Sequence, residues 1–225
     1  NKTTHAEEGT VSVQDEAGYT NVVGTYVPTL VTDKENITGT ITATVVPDNT
    51  IVIGKDYYIT GKDFDIKVKD VNMTDLSGQI LSESGAKSYN KTTHAEEGTV
   101  SVQDEAGYTN VVGTYNPVLT TDMEAITGTV IATVVPDNTI VIGKDYYITA
   151  NDFDIKVKDV NTADLSGQIL SESGAKSYNK TTHAEEGTVS VQDEAGYTNA
   201  VGTYVPTLVT DKEAIIGTVT ATVVP

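Results

Sequence analysis

The chain of 225 residues contains no cysteine, no tryptophan and no arginine, and only two phenylalanines. Without cysteine there is no disulfide framework, no thiolate nucleophile and no cysteine-ligated zinc site. Without arginine, and with a net charge of −18, the chain lacks the cationic surface and guanidinium forks that nucleic-acid binding uses. An anionic membrane surface repels it for the same reason. No run of about 18 apolar residues occurs, so no helical membrane span is expected. The first residues have neither the basic nor the apolar stretch of a targeting segment. What is abundant is Thr and Val, 37 and 30 residues, a β-branched bias that favours strands over helices.

An internal repeat organises the chain. Asn-Lys-Thr-Thr-His-Ala-Glu-Glu begins at Asn1, Asn90 and Asn179, a period of 89 residues. Val-Val-Pro-Asp-Asn-Thr, at Val45–Thr50 and Val134–Thr139, is the best linker signal, a strand halted by proline. In that frame residues 1–47 are the C-terminal half of a repeat, and 48–136 and 137–225 are complete repeats. The complete copies differ at 11 of 89 positions and carry −7 each, with −4 on the half copy. Asn116, Val118 and Thr120 become Val205, Thr207 and Val209. Polar and apolar side chains thus interchange at every second residue, which marks the solvent face of one strand.

Alternation and turn residues predict strands at Ile51–Ile53, Tyr57–Thr60, Phe64–Val71, Ala86–Tyr89, Gly98–Gln103, Val111–Thr121 and Ile126–Val135. One helix is expected over Thr74–Glu83, capped by Thr74 or Asp75 and stopped by Gly85. Asp104-Glu105-Ala106-Gly107 reads as a hairpin turn. About seven short strands in under roughly 100 residues predict a mostly β chain of tandem immunoglobulin-like β-sandwich repeats, each with one short helix.

Several of these stretches resemble a known family. Ile59-Thr60-Gly61-Lys62-Asp63-Phe64-Asp65-Ile66, then Asp75-Leu76, then Ser84-Gly85-Ala86-Lys87-Ser88-Tyr89, are similar to the tandem Ig-like repeats of Gram-positive-type bacterial surface adhesin and stalk proteins. Gly113-Thr114-Tyr115 and Thr129–Val135 match the strands that close such repeats. The resemblance implies an extracellular, cell-surface location and a structural role: a rigid acidic stalk or fibre that projects a binding domain. Its alternatives are a multivalent adhesin repeat binding a glycan or host protein, with Tyr57, Tyr58, Tyr89, Tyr108 and Tyr115 as an aromatic surface, or a self-assembling filament or biofilm matrix subunit. The expected partners are neighbouring repeats of the same chain and, through the incomplete 1–47 unit, other copies.

The residues offer little catalytic chemistry, and no enzyme is expected. His5, His94 and His183 occur once per repeat beside two glutamates, too few for a closed zinc site, and read as solvated turns. Ser84 and Lys87 have the Ser-x-x-Lys spacing of acyl-transfer enzymes but lack the partner motifs. Asp70, Asn72 and Asp75, with Asp159, Asn161 and Asp164, gather oxygen ligands that could hold Ca2+, although not at EF-hand spacing. Asp48 and Asn49, with Asp104 and Glu105, are a second such set. No other cofactor is expected. Lys67 and Lys69 are the lysines a crosslink to Asn would use. Asn-x-Thr sequons stand at Asn1, Asn36, Asn72, Asn90 and Asn179.

Overall fold

The computed structural model describes residues 2–5 and 7–225, so the sequon at Asn1 lies outside the described residues. The chain is mostly β, arranged in small sheets of two or three strands. It forms two compact units. One takes in the chain through Lys62, with Leu81–Asp104 and Val118–Val130; the other comprises Asp63–Ile80, Glu105–Pro117 and Ile131–Pro225.

The second unit holds all of 137–225 and shows how one copy is built. Thr139–Ile142, Tyr146–Thr149 and Lys176–Asn179 form an antiparallel sheet. Val189–Asp193, Thr207–Thr210 and Ile216–Thr218 form another. The third sheet is mixed: Ala221–Val224 lies between Gly202–Tyr204, antiparallel, and Phe153–Lys156, parallel. The pleat sorts the side chains as the alternation requires, with Leu208 and Thr210 buried and Thr207 and Val209 half-exposed. Ile148, Ile169, Val189, Leu208, Val219 and Ala221 make the core. Tyr197 stands edge-on to Phe153 and Tyr204, at centroid distances of 6.2 Å and 5.7 Å, a favoured aromatic geometry.

The helix of this copy, Leu165–Ser173, is short and depends on its ends. Asp164 is the N-cap, its carboxylate accepting the Gly167 N–H at 2.9 Å. Gly174, at φ 60°, closes the other end and donates its N–H to the Leu170 carbonyl at 3.1 Å. A Cβ at position 167 would meet the capping carboxylate, which would have to shift to admit it. Between the caps, Ile169 is driven fully into the core. Asp164→Ala is expected to cost about 1 kcal/mol, measured as a lower denaturant midpoint for this copy.

The same elements recur 89 residues earlier. The second unit contains Phe64–Lys67, Ala132–Val135 and Gly113–Tyr115 as a mixed sheet. The first unit contains the sheet of Thr50–Ile53, Tyr57–Thr60 and Lys87–Asn90, and that of Val100–Asp104, Val118–Thr121 and Thr127–Thr129. It also holds the first copy, where Val11–Asp15, Thr29–Thr32 and Thr38–Thr40 form a sheet and Gly24–Tyr26 pairs with Ala43–Val45.

The expected long strands are shorter, each for a local reason. Phe64–Val71 ends at Lys67 and turns through a 3-10 segment, Val68–Asp70. There the Lys69 N–H leaves the ladder and donates to the Asp137 carboxylate at 2.8 Å. Val111–Thr121 divides into Gly113–Tyr115 and Val118–Thr121, in different sheets, because Pro117 between them has no N–H to donate. Ile126–Val135 divides likewise into Thr127–Thr129 and Ala132–Val135. Asp104–Gly107 is a turn with Ala106 at φ 52° and Gly107 at φ 71°. It joins no hairpin, since Val100–Asp104 pairs with Val118–Thr121, one strand further on.

Candidate functional site at the histidine turns

The most built polar feature is the Asn-Lys-Thr-Thr-His turn. Asn179 Oδ1 accepts the N–H groups of Thr181 and Thr182 at 2.9 Å and 3.0 Å, an Asx turn. His183 then donates its N–H to the Asn179 carbonyl at 2.9 Å and takes a φ of 56°. That left-handed backbone, costly for a residue with a Cβ, aims the imidazole back across the turn. His94 repeats this with φ 57° and its N–H on Asn90.

The imidazole joins one copy to the copy before it. His183 Nδ1 lies 3.4 Å from the Tyr147 hydroxyl of its own copy, and Nε2 lies 3.1 Å from Thr114 Oγ1 of the preceding copy. Thr114 Oγ1 in turn donates to the Lys180 carbonyl at 3.4 Å. We assign the imidazole proton to Nε2, the tautomer that lets Thr114 donate to that carbonyl and Tyr147 donate to Nδ1. The relay therefore runs Tyr147 O–H to His183, His183 N–H to Thr114, and Thr114 O–H to Lys180. Burial pushes the Tyr147 hydroxyl up to about 12, helped by the neighbouring Tyr178, which keeps it a donor. Burial also pushes the His183 imidazole below its ordinary 6.5, favouring the neutral form the relay needs.

The first unit contains the same arrangement. His94 Nε2 lies 3.2 Å from Thr25 Oγ1, His94 Nδ1 lies 3.4 Å from Tyr58, and Thr25 donates to the Lys91 carbonyl at 3.3 Å. The histidines at 94 and 183 are thus half-buried joints rather than solvated turns; only His5 is exposed. The threonine partner is not legible in the sequence because it sits 69 residues back, in a Gly-Thr-Tyr strand with nothing unusual in its composition.

Two charged groups brace the joint. Lys180 Nζ pairs with Asp65 of the preceding copy at 2.7 Å, with both side chains about one-fifth to one-quarter exposed, 21% and 24%. Glu213 accepts the N–H groups of Lys144, Asp145 and Tyr146 at 2.8–3.2 Å. Burial opposes its ionisation, and those three N–H groups outweigh it, so its carboxyl titrates below the ordinary 4.5. Glu124 holds Lys55, Asp56 and Tyr57 in the same way, and the Lys55 N–H is the largest cause of its lowered value. A lowered carboxyl value means stability present above about pH 4.5 and lost as pH falls through the folded-state value. Protection of the Tyr57 and Tyr146 amides from hydrogen exchange, relative to the intrinsic rate at each pH, is accordingly expected to fall below that pH.

The remaining sequence candidates fall elsewhere. Asp70, Asn72, Asp75, Asp159, Asn161 and Asp164 are exposed around the helix starts. Asn72 Oδ1 accepts from the Thr74 N–H and hydroxyl, Asn161 Oδ1 accepts the Ala163 N–H, and Asp75 Oδ1 accepts the Gly78 N–H at 2.8 Å. The Asn72, Asn161 and Asp75 oxygens are engaged in turns and caps, and among the described residues no group of three His, Cys, Asp or Glu side chains comes together. Ser84 is buried and donates to the Leu81 carbonyl, whereas Lys87 pairs with Glu96 at 2.7 Å, so the Ser-x-x-Lys spacing brings no nucleophile to a base. Lys67 is half-exposed and Lys69 exposed. Tyr58 and Tyr108 are core residues, and Tyr57, Tyr89 and Tyr115 are half-buried.

No protein-family model matches the chain, and no curated protein matches it. Among the described residues no helix is long and apolar enough to cross a membrane.

Proposed function

We propose that this chain is a structural spacer, a run of acidic Ig-like repeats from an extracellular surface protein whose copies are latched in series by their histidine turns. The observation that carries this reading is the recurrence of one joint: Thr25 with His94 and Thr114 with His183, at 3.2 Å and 3.1 Å. An identical contact between successive copies converts a repeated sequence into a regular array, and nearest-neighbour coupling is the energetic basis of such arrays. The net charge of −18 supports the same role, since like-charged beads resist collapse onto one another. The resemblance to surface-protein repeats supplies the cellular setting.

The test is to place increasing numbers of copies between an anchor and a displayed binding domain. A spacer makes reach and accessibility of that domain grow with copy number, and the isolated array stays inert on glycan and host-protein panels at high valency. Tight binding by the array alone would replace the spacer with an adhesin.

A further inference from the structure

The Asn-x-Thr sequons carry chemistry that a spacer does not use, and the fold treats them unequally. A sequon accepts N-linked sugar where it lies in a surface loop. Asn90 and Asn179 do not lie in one. Each is half-buried at the end of a strand, Lys87–Asn90 or Lys176–Asn179. Each also anchors a histidine turn through its side-chain oxygen and its backbone carbonyl, and Asn90 Nδ2 donates to Glu97 at 3.4 Å. Asn36 is exposed, but its Thr38 is held in a ladder opposite Val31.

Asn72-Met73-Thr74 differs on every count. All three residues are exposed and lie between the 3-10 turn Val68–Asp70 and the helix Leu76–Ser84, outside any strand or helix. Gln79 pins the base of this loop, accepting the Asn72 N–H on Oε1 at 2.8 Å and donating from Nε2 to the Asp70 carbonyl at 2.9 Å. Asn72 Oδ1 accepts from the Thr74 N–H at 3.2 Å and from the Thr74 hydroxyl at 2.7 Å. Those bonds occupy the oxygen, and among the described residues nothing accepts from Nδ2. The amide and the hydroxyl of the sequon are thereby held side by side on an exposed loop. The third copy keeps the same frame, with the Asn161 N–H on Gln168 at 2.8 Å and the Ala163 N–H on Asn161 Oδ1 at 3.2 Å. Ala163 brings no hydroxyl.

We propose that Asn72 is the site at which this chain takes an N-linked sugar. The co-reactant is a glycosyl diphosphate, presented by a sequon-reading transferase. Asn72 Nδ2 attacks the anomeric carbon and the bond from that carbon to the diphosphate oxygen breaks. The diphosphate leaves with the electron pair, and Nδ2 gives up one proton to a base of the transferase. The modification stands or falls independently of the spacer role.

The experiment uses an oligosaccharyltransferase that modifies a free peptide of residues 69–76, with a polyprenyl-diphosphate-linked oligosaccharide as donor. Enzyme and donor are incubated with the folded full chain, and the product is read by intact mass and peptide mapping. One sugar chain per protein is expected, at Asn72. Asn72→Gln and Thr74→Ala should abolish it, whereas Thr74→Ser should retain it. Ala163→Thr rebuilds the sequon in the third copy and should add a second sugar chain, at Asn161. The proposal is overturned if the folded chain takes no sugar while the peptide does. Sugar at another sequon in place of Asn72 overturns it too, as does an Ala163→Thr chain that gains nothing at Asn161.

Discussion

Leu208→Ala should destabilise the copy 137–225 by about 2–5 kcal/mol, seen as a lower urea midpoint, whereas Leu30→Ala should cost only a fraction of that. The two leucines occupy equivalent positions in nearly identical sequence. Leu208 is completely buried, within the cluster that includes Ile148, Ile169 and Tyr197. Truncating it removes the apolar contacts and leaves a cavity that the tightly paired sheets cannot collapse into. Leu30 is half-exposed beside a groove, so truncation there loses less buried surface and leaves no sealed void. Equal costs would show that the first copy closes its own face.

Thr114→Val is the second large effect. It keeps the volume of the side chain but leaves the His183 Nε2–H and the Lys180 carbonyl without their partner, a cost of about 1–3 kcal/mol for buried groups. Water reaches this half-buried site, which places the expected value near 1 kcal/mol. It should appear as faster exchange of the His183 amide, which closes the turn on Asn179. Acid should lower the protection of that amide relative to its intrinsic exchange rate. Because the His183 value lies below 6.5, the neutral imidazole contributes its full stability above that pH. The contribution is lost as pH falls from 6.5 through the folded-state value. The Tyr147 hydroxyl, the Lys180 ammonium and Asp65 face the same joint; of these only Asp65 is negative, and it is already paired with Lys180. In Thr114→Val the dependence on pH in this range should persist, since burial is what lowers the imidazole value.

Much of one copy was legible in its local pattern. Leu76, Ile80 and Gly85 delimit a helix by spacing and capping alone, and Phe64 and Ile66 alternate with Asp65 as a half-buried strand must. Pro117 was a visible break, although the strand reading ran through it. What local pattern does not carry is pairing. Phe153–Lys156 lies parallel to Ala221–Val224, a neighbour some 65 residues away that alternation cannot identify. The 3-10 turn at Val68–Asp70 depends on an Asp137 carboxylate from the next copy. The joint was the least legible, because each of its parts has an ordinary local explanation. Threonine belongs in a strand, Thr-Thr-His reads as a turn, and only the fold brings Thr114 and His183 together. The apolar residues of the first copy carried the opposite hazard. Val11, Tyr19 and Ile41 share the local pattern of the buried Val189, Tyr197 and Val219 and are exposed, since burial needs the covering half as well as the pattern.

The central claim, that histidine turns latch successive copies, is tested most directly by the nitrogen-15 chemical shifts of the His183 imidazole across pH. The latch predicts a neutral ring with the proton on Nε2 and Nδ1 accepting, a titration midpoint below 6.5, and loss of the Nε2 preference in Thr114→Val. A proton on Nδ1, or a tautomer that Thr114→Val leaves unchanged, would contradict it.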